Sequence, residues 1–90
     1  MAWTIKFDKK AEKEFKSLDK IIQKSIDKFL MRLTKSSNPR HVGHALKGKL
    51  QSLWRYRIGD HRLICNIEDK IVTVVVLRIS HRRHVYKKEM

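Results

Sequence analysis

Residues 51–79 read QSLWRYRIGDHRLICNIEDKIVTVVVLRI, and the first half of this stretch has the pattern of a β-hairpin. In 51–58, apolar and aromatic side chains alternate with arginines, which is the two-residue period of a strand with one buried face. The segment 61–67 is again strand-like and follows Gly59 and Asp60, two residues that suit a tight turn. This stretch therefore predicts two antiparallel strands joined by a two-residue turn.

A third strand follows the hairpin. The segment 71–79, IVTVVVLRI, carries β-branched residues on both faces, as central strands do. The polar residues 68–70 precede it and are predicted to be the whole turn, which would pair Ile67 with Ile71. The prediction for 51–79 is a three-stranded antiparallel meander.

The first half of the chain contains one strand and two helices. Residues 2–7 alternate as a half-buried strand, and Asp8 then offers a helix N-cap. Apolar residues at helical spacing predict a short helix that ends near Leu18. After a break near Asp19, a longer helix runs until the sequence Ser-Ser-Asn-Pro at 36–39 stops it.

The order of the predicted elements gives the fold class. Residues 40–50 have turn glycines and no clear period, so they are interpreted as a connecting loop. The whole chain is then an α+β fold of order β-α-α-β-β-β, with an N-terminal strand, a helix hairpin, the three-stranded antiparallel meander and a short basic tail over 80–90. Ninety residues predict a single domain, 1–90.

The charge of the chain restricts what it binds. Lys and Arg total 22 against 9 Asp and Glu, which leaves a formal net charge of +13. Such a field favours a polyanionic partner, and nucleic acid, an acidic protein and an anionic membrane surface all fit it. No segment approaches the roughly 20 apolar residues of a membrane span, and a lone cysteine, Cys65, fits a reducing compartment. These features predict a cytoplasmic protein with no membrane association.

The predicted register sorts the side chains of the meander onto two faces. A two-residue turn pairs Arg57 with Arg62, and directly paired residues share a face. Arg55 joins them, and so does Arg78 if the second turn is as predicted. The opposite face collects, for packing under the helices, Trp54, Tyr56, Leu63, Cys65, Thr73, Val75 and Leu77. Four guanidinium groups on one face predict a phosphate-binding surface, because the planar arginine fork suits bidentate phosphate contacts.

The tail adds groups that transfer protons. It reads SHRRHVYKKEM and holds His81 and His84, a residue type that exchanges protons near neutral pH. Tyr86 offers a ring that stacks on a base and a hydroxyl that shares a proton. By contrast, His41 and His44 in the loop have no Cys or carboxylate ligands near them in sequence, so no metal site is predicted.

The pattern as a whole resembles the RelE/ParE superfamily of bacterial toxins, and the RelE branch in particular. The likeness rests on five stretches in a fixed order, namely FDKKAEKEFKSL, ALKGKL, LWRYRIGDHRLIC, IVTVVVLRI and SHRRHVY. It implies the toxin of a type II toxin–antitoxin system, a ribosome-dependent endoribonuclease that cleaves mRNA in the A site and inhibits translation. The implied partners are mRNA and ribosomal RNA of the 70S ribosome, a cognate antitoxin and, for the toxin–antitoxin complex, promoter DNA.

The resemblance also implies a reaction and the residues that perform it. The ribose 2′-hydroxyl attacks the adjacent phosphate, and the family needs neither a metal nor another cofactor for this step. The family's basic pair falls on Arg55 and Arg57 and its third-strand arginine on Arg62. The further RNA-binding candidates are Lys47, Lys49, Arg78 and Arg83.

Proton transfer is expected to involve the tail. The family's near-terminal tyrosine falls on Tyr86 and its C-terminal arginine on Arg82. Arginine side chains stay charged and are no general base, so Tyr86 and His81, with His84 as a substitute, are the expected acid and base. Two other readings stay open at this point. One is a ParE-like inhibitor of DNA gyrase with the same fold, and the other is a basic RNA-binding module without catalysis.

Overall fold

The computed structural model describes residues 2–46 and 53–81. Its elements are β1 (Thr4–Phe7), α1 (Lys9–Lys16), α2 (Lys20–Lys35), β2 (His44–Ala45), β3 (Leu53–Ile58), β4 (His61–Glu68) and β5 (Thr73–His81). The strands form one sheet in the order β1-β5-β4-β3-β2, and both helices contribute to the core on one of its faces. The predicted α+β fold is confirmed. In the described ranges, no helix is long and apolar enough to cross a membrane.

The helix hairpin closes where the sequence predicts it. α1 begins directly after Asp8, and Ala11 on its apolar stripe is fully buried. The side-chain amide of Gln23 in α2 donates hydrogen bonds to the carbonyl oxygens of Phe15 and Leu18, each at 3.0 Å. Since the last carbonyls of a helix have no partner within it, these bonds stabilise the reversal of the chain at Asp19.

The sheet is mixed and wider than the predicted meander. β1 pairs in parallel with β5, with Thr4 opposite Thr73, and the short β2 pairs antiparallel with β3. The period of residues 2–7 indicates a strand but not its partner, since parallel pairing needs a distant segment. A two-residue strand such as β2 is too short to show any period. The predicted loop 40–50 therefore contains a strand, and also a 3₁₀ turn over Pro39–His41.

The first turn of the meander is as predicted and the second is not. Ile58 pairs with His61, so Gly59 and Asp60 are the whole first turn. Ile67, however, pairs with Val74 rather than with Ile71.

The second turn is longer because it contains a 3₁₀ turn over Asp69–Ile71, followed by Val72 in the left-handed region at φ 49°. A β-branched residue is strained there, so residue type does not predict this conformation at Val72. β5 consequently begins at Thr73, two residues later than predicted.

The corrected register changes which residues of β5 face the helices. The prediction is confirmed for Tyr56, Leu63 and Cys65, which are fully buried, and for the half-buried Trp54. It is wrong for β5, where Val74, Val76 and Ile79 replace the predicted set of Thr73, Val75 and Leu77 in the helix-facing core. The pairing of β4 with β5 shifts between Ile64 and Cys65, and a bulge of this kind inserts one extra residue and reverses the alternation beyond it.

Two aromatic side chains of β3 fasten the preceding loop to the sheet. The Tyr56 hydroxyl donates to the Pro39 carbonyl oxygen and the Trp54 indole N–H to that of Val42, each at 2.7 Å. Gly43 sits against the same strand at φ +82°. A Cβ at Gly43 would lie 2.5 Å from the Arg55 carbonyl oxygen and 2.6 Å from Trp54 Nε1. The loop approaches β3 this closely because Gly43 has no side chain.

Alanine substitutions at the two glycines with positive φ distinguish the free-energy cost of a steric clash from that of the left-handed backbone conformation. Gly59 has φ +59° and no heavy atom within 4 Å of an added Cβ, so Gly59→Ala should cost about 1–2 kcal/mol, the left-handed penalty alone. Gly43→Ala meets backbone as well and should cost clearly more. Urea unfolding of both variants measures the difference, and equal losses of unfolding free energy would contradict the proposed packing of the loop.

Candidate nucleic-acid interface

The sheet face that points away from the helices carries basic side chains in two adjacent rows. One row, across β3, β4 and β5, is Arg57, Arg62 and Ser80. The next row, across β2 to β5, is His44, Arg55, Ile64 and Arg78. Side chains paired in this way have Cβ atoms about 5 Å apart. Strand pairing places Arg55, Arg57 and Arg62 on this face as predicted. Arg78 joins them although the second turn differs from the prediction, because the bulge between Ile64 and Cys65 restores the alternation.

The three arginines of β3 and β4 differ in exposure. Arg57 is exposed, Arg55 is half-buried, and Arg62 in the central strand is only 1% exposed. Like charges directly opposite each other destabilise a sheet. Neighbouring cations on one face favour an anionic ligand, and arginine presents the planar donor geometry that phosphate accepts.

Arg78 lies at the sheet edge and has a carboxylate partner. Its Nε–H donates to Glu14 of α1 at 3.2 Å, and the two side chains are 28% and 25% exposed. Glu14 also accepts a hydrogen bond from the backbone N–H of Ile79 at 2.7 Å. Part of the positive charge of Arg78 is thus balanced within the chain itself.

His81 lies on the helix-facing side of the sheet. It pairs with His61 two positions beyond the buried pair Leu63–Ile79, so both imidazoles share the face of the core. The two rings are 5.4 Å apart between centroids and nearly perpendicular, at 82°. They line a cavity of about 280 Å³ together with Ser17 of the helix hairpin. The strand pairing therefore does not bring His81 onto the face of Arg57 and Arg62.

The surroundings of His61 favour its neutral form. Burial lowers the pKa of its imidazole, the nearby charge of His81 lowers it further, and Asp60 raises it in part. Positive charge on His81 therefore disfavours a proton on His61.

His44 is a residue on the arginine face that sequence reasoning missed. It is exposed and lies directly opposite Arg55. Together with Arg55 and Arg57 it lines a concavity of about 240 Å³. From the sequence alone, His44 was assessed only as a possible metal ligand in a loop. Its place on the arginine face depends on the pairing of β2 with β3, which is a tertiary contact. The concavity holds fixed cations beside a residue type that transfers protons.

Several predicted site residues lie outside the described residues. These are Lys47, Lys49, Arg82, Arg83, His84 and Tyr86. Among residues 2–46 and 53–81, no group of three or more His, Cys, Asp or Glu side chains is arranged to hold a metal ion. Cys65 is fully buried, and burial raises the pKa of its thiol to about 12, so it is a core residue with no thiolate at neutral pH.

Comparison with known proteins gives a consistent result along the chain. Residues 5–86 match the sequence model of a family described as the ParE toxin of type II toxin–antitoxin system, parDE. The toxin RelG of Mycobacterium tuberculosis is 31% identical over 88 residues, which cover 98% of this chain and all of that protein.

Solved structures of toxin–antitoxin complexes match the fold. The chain superposes on a protein of the RelBE2 complex of M. tuberculosis with a TM-score of 0.81 and 30% identity, over 91% of this chain and 100% of that one. A chain of the intact RelBE complex of E. coli gives a TM-score of 0.74 at 22% identity, over 89% and 96%. At the lower identity the likeness concerns the fold alone.

The lowered pKa of His61 predicts how stability changes with pH. A folded-state pKa below the unfolded value of about 6.5 means that the unfolded chain binds the proton more readily. The stability that neutral His61 contributes is therefore complete above about pH 6.5 and is lost as the pH falls below that value through the lower folded-state pKa. Urea unfolding between pH 8 and 5 should show a smaller decline for His61→Gln than for wild type. His41→Gln, at an exposed position, is the control, and an unchanged pH profile for His61→Gln would contradict the assignment.

Proposed function

The chain belongs to the RelE/ParE superfamily of type II toxin–antitoxin toxins, and from this we propose that it is a ribosome-dependent endoribonuclease. Its substrate is mRNA exposed in the A site of the 70S ribosome, and cleavage stops translation. The bond is broken by attack of a ribose 2′-hydroxyl on the neighbouring phosphate, with no metal ion or cofactor. The observation that carries this proposal is the pair of basic rows on the face away from the helices.

The arginines supply what the transition state of this reaction needs. Charge builds up on the phosphate oxygens when the 2′-hydroxyl attacks, and donors already in place stabilise that charge without reorganisation. Arg57 is exposed and Arg55, in the adjacent row, is half-buried, so these two side chains are the proposed direct phosphate ligands, with Arg82 of the tail as a third. Arg62 lies opposite Arg57 but is only 1% exposed, so its proposed role is to add positive charge beneath the phosphate.

The proposed reaction also needs an acid and a base to transfer protons. Tyr86 is the proposed partner from the tail, as the family resemblance implies, with His84 as a substitute. His81 faces the helices by strand pairing, whereas His44 is exposed on the arginine face beside Arg55. We therefore assign proton transfer to Tyr86 together with His44, since the groups that exchange protons must reach the same ribose and phosphate.

The proposed protein partner is a cognate antitoxin. The matched structures from M. tuberculosis and E. coli are toxin–antitoxin complexes. A net charge of +13 favours a partner with an acidic segment that covers the arginine face and so blocks access of RNA. The complex, with this charge partly neutralised, is proposed to bind promoter DNA.

The test is primer extension on an mRNA translated in vitro, with purified protein, in the presence and absence of ribosomes. Cuts within codons that require ribosomes are the expected result. Tyr86→Phe and His44→Gln should each lower the cleavage rate by a factor of about 10² to 10⁴, the usual effect of losing an acid or base. Binding without cleavage would refute the enzyme and favour a basic RNA-binding module.

Arg57→Gln separates loss of function from loss of structure. It should lower the cleavage rate by about 10² or more, since it removes a donor to the developing charge. It should leave the free energy of unfolding within about 0.5 kcal/mol of wild type, because Arg57 is exposed. Lys28→Gln, an equal loss of charge at an exposed position of α2, should cleave at the wild-type rate. A fully active Arg57→Gln would contradict the proposed phosphate site.

A second candidate function is inhibition of DNA gyrase. The matched family is described as the ParE toxin, and the ParE branch, which shares this fold, is the alternative left by the sequence. Intact mRNA in the translation assay together with inhibited supercoiling by gyrase would favour this function over RNA cleavage.

A further inference from the structure

β5 extends beyond the strand that borders it. β1 pairs with β5 only up to Phe7 opposite Val76, and the backbone N–H of Asp8 makes the last bond to the Val76 carbonyl oxygen, at 2.9 Å. β5 continues to His81. Over the described residues, its edge from 77 to 81 therefore has no neighbouring strand on the β1 side.

The same part of β5 follows a bulge. The pairing of β4 with β5 shifts between Ile64 and Cys65, so that Ile64 lies opposite Arg78 and Cys65 opposite Val76. Bulges bend a strand and change the direction of the chain that follows. A bulge next to an edge without a strand leaves the direction of residues 78–81 weakly determined by the sheet itself.

Glu14 of α1 supplies the missing constraint. One carboxylate oxygen accepts the Ile79 backbone N–H at 2.7 Å, as a neighbouring strand would, and the other accepts the Arg78 Nε–H at 3.2 Å. The two bonds join residues that are 64 and 65 positions apart in the chain. Charge-assisted hydrogen bonds of this kind are stronger than neutral ones.

The place of Glu14 in its helix also indicates a tertiary role. It lies in the last turn of α1, where the helix dipole disfavours a negative charge by about 0.3–1 kcal/mol. The acidic residue of the first turn, Glu12, is by contrast well placed for the dipole and is exposed. The two bonds to β5 offset the unfavourable position of Glu14.

We propose that Glu14 is a positioning residue of the toxin, which holds the end of β5 at Arg78 and Ile79 and so fixes the point from which the chain continues after His81. This inference rests on the proposed function, because Arg82 and Tyr86 follow directly in the chain. A displacement of about 1 Å in a catalytic group lowers a rate by about 10²-fold. The Arg78 ion pair has a second effect, since it keeps the guanidinium of Arg78 at the sheet edge.

Three variants test the role of Glu14. Glu14→Gln keeps an oxygen for the Ile79 N–H and loses the ion pair, Glu14→Ala loses both, and Glu12→Gln is the matched control on the same helix. In single-codon cleavage on ribosomes, Glu14→Ala should lower kcat by about 10-fold to 10²-fold while KM stays within about twofold. Glu14→Gln should recover most of kcat, and Glu12→Gln should equal wild type.

Hydrogen exchange of the Ile79 amide provides a readout that does not depend on activity. The amide should exchange faster in Glu14→Ala and at nearly the wild-type rate in Glu14→Gln and Glu12→Gln. A merely stabilising role would lower the unfolding temperature of Glu14→Ala and leave kcat of the folded protein unchanged. That result, or an Ile79 amide that stays protected in Glu14→Ala, would overturn the proposal.

Failure of the proposed function is distinguishable from failure of this inference. A wild-type protein that arrests growth on induction but cuts no mRNA refutes the proposed reaction. The positioning role is then decided by growth arrest itself. It stands if Glu14→Ala arrests growth less than Glu12→Gln at equal protein level, and it falls if the two are equal.

Discussion

The two-residue turn at Gly59 and Asp60 fixes the register of β3 against β4, and the rest of the sheet depends on that register. With Ile58 opposite His61, Tyr56 and Leu63 point towards the helices while Arg57 and Arg62 point away from them. A slip of one residue would exchange the two faces. It would place guanidinium groups in the apolar core, where an unpaired charge costs several kcal/mol.

Because the two faces are separate, each strand carries side chains that pack in the core and side chains for the proposed anion binding. The helix side of β3 carries Tyr56, which contacts Phe29 with ring centroids 5.2 Å apart and donates to Pro39. Burial raises the pKa of Tyr56, so its hydroxyl remains a donor. The opposite side of the same two strands carries Arg57 and Arg62. Stability and the proposed anion binding thus depend on different side chains of these strands.

The C-terminal end of the sheet is organised differently. β5 has strands on both sides only as far as Val76. Beyond that point the chain is held by β4 on one side and by a helix carboxylate on the other. One substitution at Glu14 would remove this contact. The direction of the chain at the end of β5 therefore depends on a single side chain.

Sequence patterns predicted the elements well and their distant partners poorly. The helix break at Asp19, the first hairpin and the shared face of Arg55, Arg57 and Arg62 followed from local periods and one short turn. The partner of β1, the length of the second turn and the position of His44 did not. In the second turn, Val72 adopts a backbone conformation that its residue type disfavours, so local propensity predicted an extended residue where the turn continues.

The alternation along each strand, the parity across the two-residue turn and the large positive charge are all predictable from residue type and from neighbours a few positions away. The tertiary structure alone decided that His44 stands beside Arg55 and that His81 faces the helices. It also decided that Glu14 holds the end of β5. These placements depend on contacts between residues far apart in the chain, and no local period encodes the distance between them.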